Sequence, residues 1–130
     1  MIIMTEKIAL APCNGMSPNG LVSRVAVGDC RRENENVISI CMGSTSADID
    51  GQNDDMLKRY PIISVTGCKN GCVDKILKNK GIEVAKNIGV EDVLNDFDVV
   101  SSDAFRLDDD GEKCVSIIKN ELNKTIDEMR

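Results

Sequence analysis

The chain has no histidine and no tryptophan, one tyrosine and two phenylalanines among its 130 residues. Without histidine there is no cysteine–histidine nucleophile pair, no histidine-bearing zinc site and no imidazole to act as general base. Any chemistry here must use sulfur, carboxylates, hydroxyls, lysine, arginine or backbone amides. With so few rings, the core has to be built from Val, Ile, Leu, Met and Ala. No run approaches the ~20 apolar residues that span a bilayer. The opening Met-Ile-Ile-Met-Thr-Glu-Lys lacks the basic region and apolar stretch of a secretory signal. Basic residues are also in short supply. Sixteen Lys and Arg against 22 Asp and Glu give a net charge of -6, which disfavours nucleic acid and membrane surfaces as partners. The cytoplasm is the expected location.

What remains is the composition of a folded domain, 42% hydrophobic and 29% charged. The length suits one domain over residues 1–130. Ile8–Ala11, Val37–Cys41 and Pro61–Val65 are short apolar runs that read as buried strands, with a weaker fourth strand over 84–90. Between them lie helical signals. Ser17 followed by Pro18 predicts a capped helix over 18–32, with Leu21, Val25 and Cys30 among its inward positions. A short helix is expected over 54–59. Val73, Ile76 and Leu77 predict another over 72–79, closed by a left-handed Gly81. Residues 44–55 and 91–111 read as loops, the second with a turn at Asp108–Gly111. A final helix over 112–128 carries Cys114, Ile117, Ile118 and Leu122 on one stripe. Strands alternating with helices predict a three-layer α/β domain. Its parallel four-stranded sheet would be Rossmann-like or flavodoxin-like, in order 2-1-3-4, with helices on both faces.

Six cysteines in such a chain need a reason. Disulfides do not persist in a reducing compartment, so metal binding or thiolate chemistry rises in weight. Cys13 follows the first strand, Cys41 ends the second and Cys68 follows the third. The intervals are nearly equal, each the length of one strand–helix–strand repeat. All strands of a parallel sheet end on the same edge, where such folds bind ligands. Cys72, four residues after Cys68, can reach the same point. Four thiolates meeting there would suit tetrahedral zinc or an iron–sulfur cluster. Two helix starts near the cysteines would favour the thiolate form. Gly15, Ser17, Gly43, Thr66 and Gly67 are the accompanying candidates to line the site. Cys30 and Cys114 fall inside helices and read as core packing.

Two redox and phosphatase templates do not fit. A cysteine after the first strand suits low-molecular-weight tyrosine phosphatases, but these need an arginine six residues on, where this chain has Asn19. The thioredoxin spacing is missed by one residue between Cys68 and Cys72.

The pattern resembles the DGC-domain family, whose members are taken to bind zinc. The matching positions are Pro12, Cys13, Gly15, Ser17 and Gly20, then Cys41 and Gly43, then Gly67, Cys68 and Cys72, continuing to Leu77 and Gly81. The resemblance covers residues 7–90 and implies an α/β fold with a cysteine-rich metal site. Thr66 replaces the aspartate that gives the family its name, so a proton-moving or ligand-orienting role of that aspartate is not carried over to this position. The expected function is that of a cysteine-ligated metal-binding protein, zinc before an iron–sulfur cluster, carrying or delivering metal or sulfur. An enzyme with an open coordination position is the alternative, with Ser17, Ser44, Asp48 and Thr66 as nearby polar groups. A structural metal in an interaction module is the third reading. The expected partners are a metal ion and an unidentified protein.

Overall fold

In the computed structural model, residues 7–13, 15–47, 54–67 and 70–129 are described. Strand β1 (Ile8–Pro12) leads into helix α1 (Pro18–Glu33), and β2 (Val37–Ser39) into α2 (Met42–Ser46) and α3 (Asp54–Arg59). Strand β3 (Ile62–Thr66) leads into α4 (Cys72–Asn79), and β4 (Lys86–Gly89) into α5 (Val90–Asp96) and α6 (Asp109–Met129). The four strands pair in parallel in the order β2-β1-β3-β4, the order expected.

Alternation along the strands separates the two faces. Ile8 and Leu10 of β1, with Ile63 and Val65 of β3, join Val22, Val27 and Cys30 of α1 and Cys114, Ile118 and Leu122 of α6. Ala9 and Ala11, with Ile62, meet Met42, Leu57, Val73 and Leu77 on the other face. Helices therefore cover both sides of the sheet. Neither core cluster contains a phenylalanine, and both phenylalanines are exposed. Among the described residues, Met42 is buried, Met129 is only partly so, and Met16 lies in solvent.

Helix α1 starts as its sequence dictates. The Ser17 hydroxyl accepts from the Gly20 amide at 3.0 Å, and Pro18 needs no acceptor for an N–H it lacks. Its inward stripe is Val22, Ala26, Val27 and Cys30, with Val25 packed at the margin. Helix α4 closes at Gly81, whose φ of 75° is the left-handed conformation expected there. Ile82 N donates to Leu77 O at 2.9 Å and seals the end.

Two stretches differ from expectation. The loop expected over 44–55 begins with helix α2, capped by the Cys41 sulfur, which accepts from the Ser44 amide at 3.5 Å. The irregular stretch expected over 91–111 contains α5, closed by Asp98 at φ 56° where glycine is the usual residue. Asp108 is no simple turn. Its carboxylate accepts from Gly111 N at 2.8 Å, so α6 starts at Asp109 rather than 112. Asp109 and Asp110 thus sit in a first helical turn, where negative charge is favoured. Residues 48–53 lie outside the described residues.

Candidate functional site

The order β2-β1-β3-β4 reverses direction between β1 and β3. Loops leave these two strands toward opposite faces, and folds of this kind bind ligands at that switch point. Here the switch point is built from backbone packed on backbone. A Cβ on Gly20 would lie 2.4 Å from the Gly15 carbonyl oxygen, and one on Gly67 would lie 2.9 Å from the Gly20 nitrogen. Only hydrogen fits at either position. This contact locks the loop after β1, the first turn of α1 and the end of β3 together. Val65 O reinforces it by accepting from Cys13 N at 2.8 Å and from the buried Ser23 hydroxyl at 3.2 Å.

Three thiols lie on this edge. Cys13 directly follows β1, Cys41 lies two residues past β2, and Cys72 opens α4. Cys13 is half-buried, while Cys41 and Cys72 are exposed. Two of them share one local design, cysteine followed two residues later by glycine. Gly15 N points at Cys13 Sγ at 3.5 Å, and Ser44 N at Cys41 Sγ at 3.5 Å. A Cβ on Gly15 or Gly43 would stand 3.6 or 3.9 Å from the respective sulfur. The glycines leave the sulfurs accessible.

Cys41 is an activated thiol. Hydrogen bonds from the Ser44 hydroxyl and amide hold it below the ordinary thiol range, with Gly43 N and the Arg24 charge adding to the effect. The Ser44 hydroxyl also lies 3.2 Å from the Cys41 carbonyl, so sulfur and carbonyl compete for one proton. Cys41 lines a recess of about 200 Å³ with Pro12, Arg24, Val27, Ser39, Ile40 and Met42. Ser44 was among the nearby polar groups expected from the sequence, and Arg24 was not. Arg24 lies one helical turn after Gly20, a signal that the close packing of Gly20 could have supplied.

The thiols share an edge without forming a cage. Cys13 packs against the core of the α2–α4 face, whereas the Cys41 recess opens beside α1. Among the described residues no three cysteine, aspartate or glutamate side chains come close enough to hold a metal. Cys68 and Asp48 lie outside the described residues. The donors suit a thiophilic metal in chemistry, and Cys13, Cys41 and Cys72 follow the ends of three parallel strands.

The other candidates take different roles. The Ser17 hydroxyl is spent on the α1 cap. Thr66 turns toward β4, its hydroxyl donating to Ile88 O at 3.5 Å. It lines a separate recess of about 290 Å³ with Gly71, Asp74, Asn87, Gly89, Glu91 and Asp92. Asp74 Oδ1 and Glu91 Oε1 are buried with no hydrogen-bond partner among the described residues. An aspartate at position 66 would add a further negative charge to this recess, and threonine avoids that repulsion. Cys30 and Cys114 are fully buried. Cys30 sits among Asn34 and Asn123, and burial raises the Cys114 thiol above its ordinary range.

A parallel α/β domain with cysteines on the ligand-binding edge is the class these observations define. The chain belongs to the DGC-domain family, whose model matches residues 9–125. No curated protein and no solved structure matches the chain. Among the described residues no helix is long and apolar enough to cross a membrane.

Proposed function

We propose that this protein binds a thiophilic metal, zinc in preference to an iron–sulfur cluster, and carries it in exchangeable form in the cytoplasm. Cys13, Cys41 and Cys72 would hold it together with Cys68. The observation that carries this reading is the arrival of three thiols, from three different crossovers, on one sheet edge. Zinc held by thiolates is bound tightly yet exchanges with incoming thiols, which suits delivery. The ligands lie at loop and helix starts, while the sheet beneath has two apolar clusters of its own. A domain of this size stays folded without a metal staple.

The test is competition between metal-free protein and a chromophoric zinc chelator. About one zinc per chain should be taken up, and Cys41→Ser or Cys68→Ser should abolish uptake. The far-ultraviolet circular dichroism should stay nearly constant on removal of zinc. Loss of the cooperative thermal transition on chelation would instead mark the metal as structural. A visible absorption band in anaerobically prepared protein would favour an iron–sulfur cluster.

A second reading, a thiolate-dependent enzyme, is favoured by the Cys41 recess, where amide, hydroxyl and guanidinium groups surround one sulfur. It predicts a reactive Cys41 that Cys13→Ser, Cys68→Ser and Cys72→Ser leave untouched.

A further inference from the structure

Both phenylalanines of the chain stand in solvent, Phe97 at 58% and Phe105 at 78% exposure. Val100 between them is 73% exposed. Burying one such side chain is worth about 1.5–3 kcal/mol, so a fold that holds three outward within nine residues forgoes a large gain. The segment is held in this arrangement. Val99 N donates to Leu94 O at 3.3 Å across the left-handed Asp98, closing α5 and leaving Val99 packed on the core. Ser101 is buried, and its hydroxyl donates to Asn19 Oδ1 at 2.6 Å. The Asp103 carboxylate accepts from Phe105 N at 2.8 Å and Arg106 N at 3.1 Å, which fixes the turn carrying Phe105. Leu107 returns to the core. Inward Val99, Ser101 and Leu107 therefore pin outward Val100 and Phe105.

The surroundings are acidic. Asp96, Asp98, Asp103, Asp108, Asp109 and Asp110 border these side chains in sequence, against the single base Arg106. An anionic membrane would be repelled, and a second copy would oppose like charges. We propose that the 97–106 connection is a docking surface for a partner protein that offers an apolar pocket bordered by lysine and arginine. Ordered aromatic side chains make efficient anchors because little freedom is lost on binding. The Ser101–Asn19 bond ties this connection to the first turn of α1. Beside that turn lies Met16, 76% exposed and three residues after Cys13. A partner seated here would adjoin the thiol edge, although the proposal does not depend on metal binding.

The test uses the full-length chain labelled for NMR, titrated at physiological ionic strength with an amphipathic helical peptide of leucine and lysine. A matched peptide of serine and lysine is the control. The leucine peptide should shift amide signals across 97–106 and at Met16. Phe97→Ser with Phe105→Ser should weaken it by about tenfold or more, as loss of an interface anchor does. Asp103→Ala, which keeps both rings but frees the turn, should weaken it to a lesser extent. Equal binding of the two peptides, or shifts spread over all acidic surfaces, would overturn the proposal. So would self-association in sedimentation that Phe105→Ser abolishes, or Phe105-dependent binding to phosphatidylglycerol vesicles.

Discussion

The seam between α1 and α6 and the carboxyl-terminal edge of the sheet both hold cysteines, in opposite environments. In the seam, Cys30 and Cys114 are sealed from solvent among Ile118, Leu122 and Val27, and burial makes the Cys114 proton harder to remove. At the edge, Cys41 and Cys72 are exposed, and hydrogen bonds make the Cys41 proton easier to remove. The same side chain is a small apolar filler in one place and an accessible thiol in the other. Placement relative to the strand ends makes the difference.

Stability should separate the two regions most sharply. Leu122→Ala in the seam removes a fully buried side chain and should lower unfolding free energy by about 2–5 kcal/mol in urea denaturation. Cys72→Ser on the exposed edge should change it by less than about 0.5 kcal/mol in metal-free protein. Comparable losses from both would erase the distinction.

A smaller effect should come from the glycine packing that joins the loops. Gly20→Ala would place a Cβ 2.4 Å from the Gly15 carbonyl, and overpacking of this kind costs about 1–3 kcal/mol. Gly28→Ala in the same helix has only the Arg24 guanidinium nearby, at 3.4 Å. It should gain up to about 1 kcal/mol from helix propensity. Opposite signs in one helix, read from the same denaturation curves, would locate the constraint at the switch point.

The smallest effect is one of pH. Cys41 ionises below the ordinary thiol range, so its contribution to stability is present above the unfolded thiol pKa. It is lost as pH falls through the lower folded value. In metal-free protein, alkylation of Cys41 should therefore begin at lower pH than for an unstructured thiol. Ser44→Ala removes the hydroxyl and should move that profile upward. An unmoved profile would show that the hydroxyl serves the Cys41 carbonyl alone.

Much of this architecture was legible in the sequence because apolar runs and helical spacing agree with each other. Ile8–Ala11 and Ile62–Val65 are apolar on both faces, the mark of central parallel strands. Helix α2 was hidden because Met-Gly-Ser-Thr-Ser has no helical stripe and its cap is a cysteine. Helix α5 was hidden because Val90, the first residue of α5, directly follows β4 and reads as its end, and because Asp98 stands where glycine would have signalled the end. The edge positions of Cys13, Cys41 and Cys72 followed from the parallel direction of the strands, whose carboxyl ends share one edge. Their facing did not, since Cys41 follows two residues beyond β2, where strand alternation no longer sets direction. Thr66 likewise ends β3 at the expected edge but turns toward β4.

The most direct test of the account is alkylation of each cysteine, mapped by mass spectrometry, in metal-free and zinc-loaded protein. Cys13, Cys41, Cys68 and Cys72 should react in the metal-free protein and be protected by zinc. Cys30 and Cys114 should stay unreactive in both states until the chain unfolds. Protection that falls equally on all six cysteines, or no protection at Cys41 and Cys72, would contradict it.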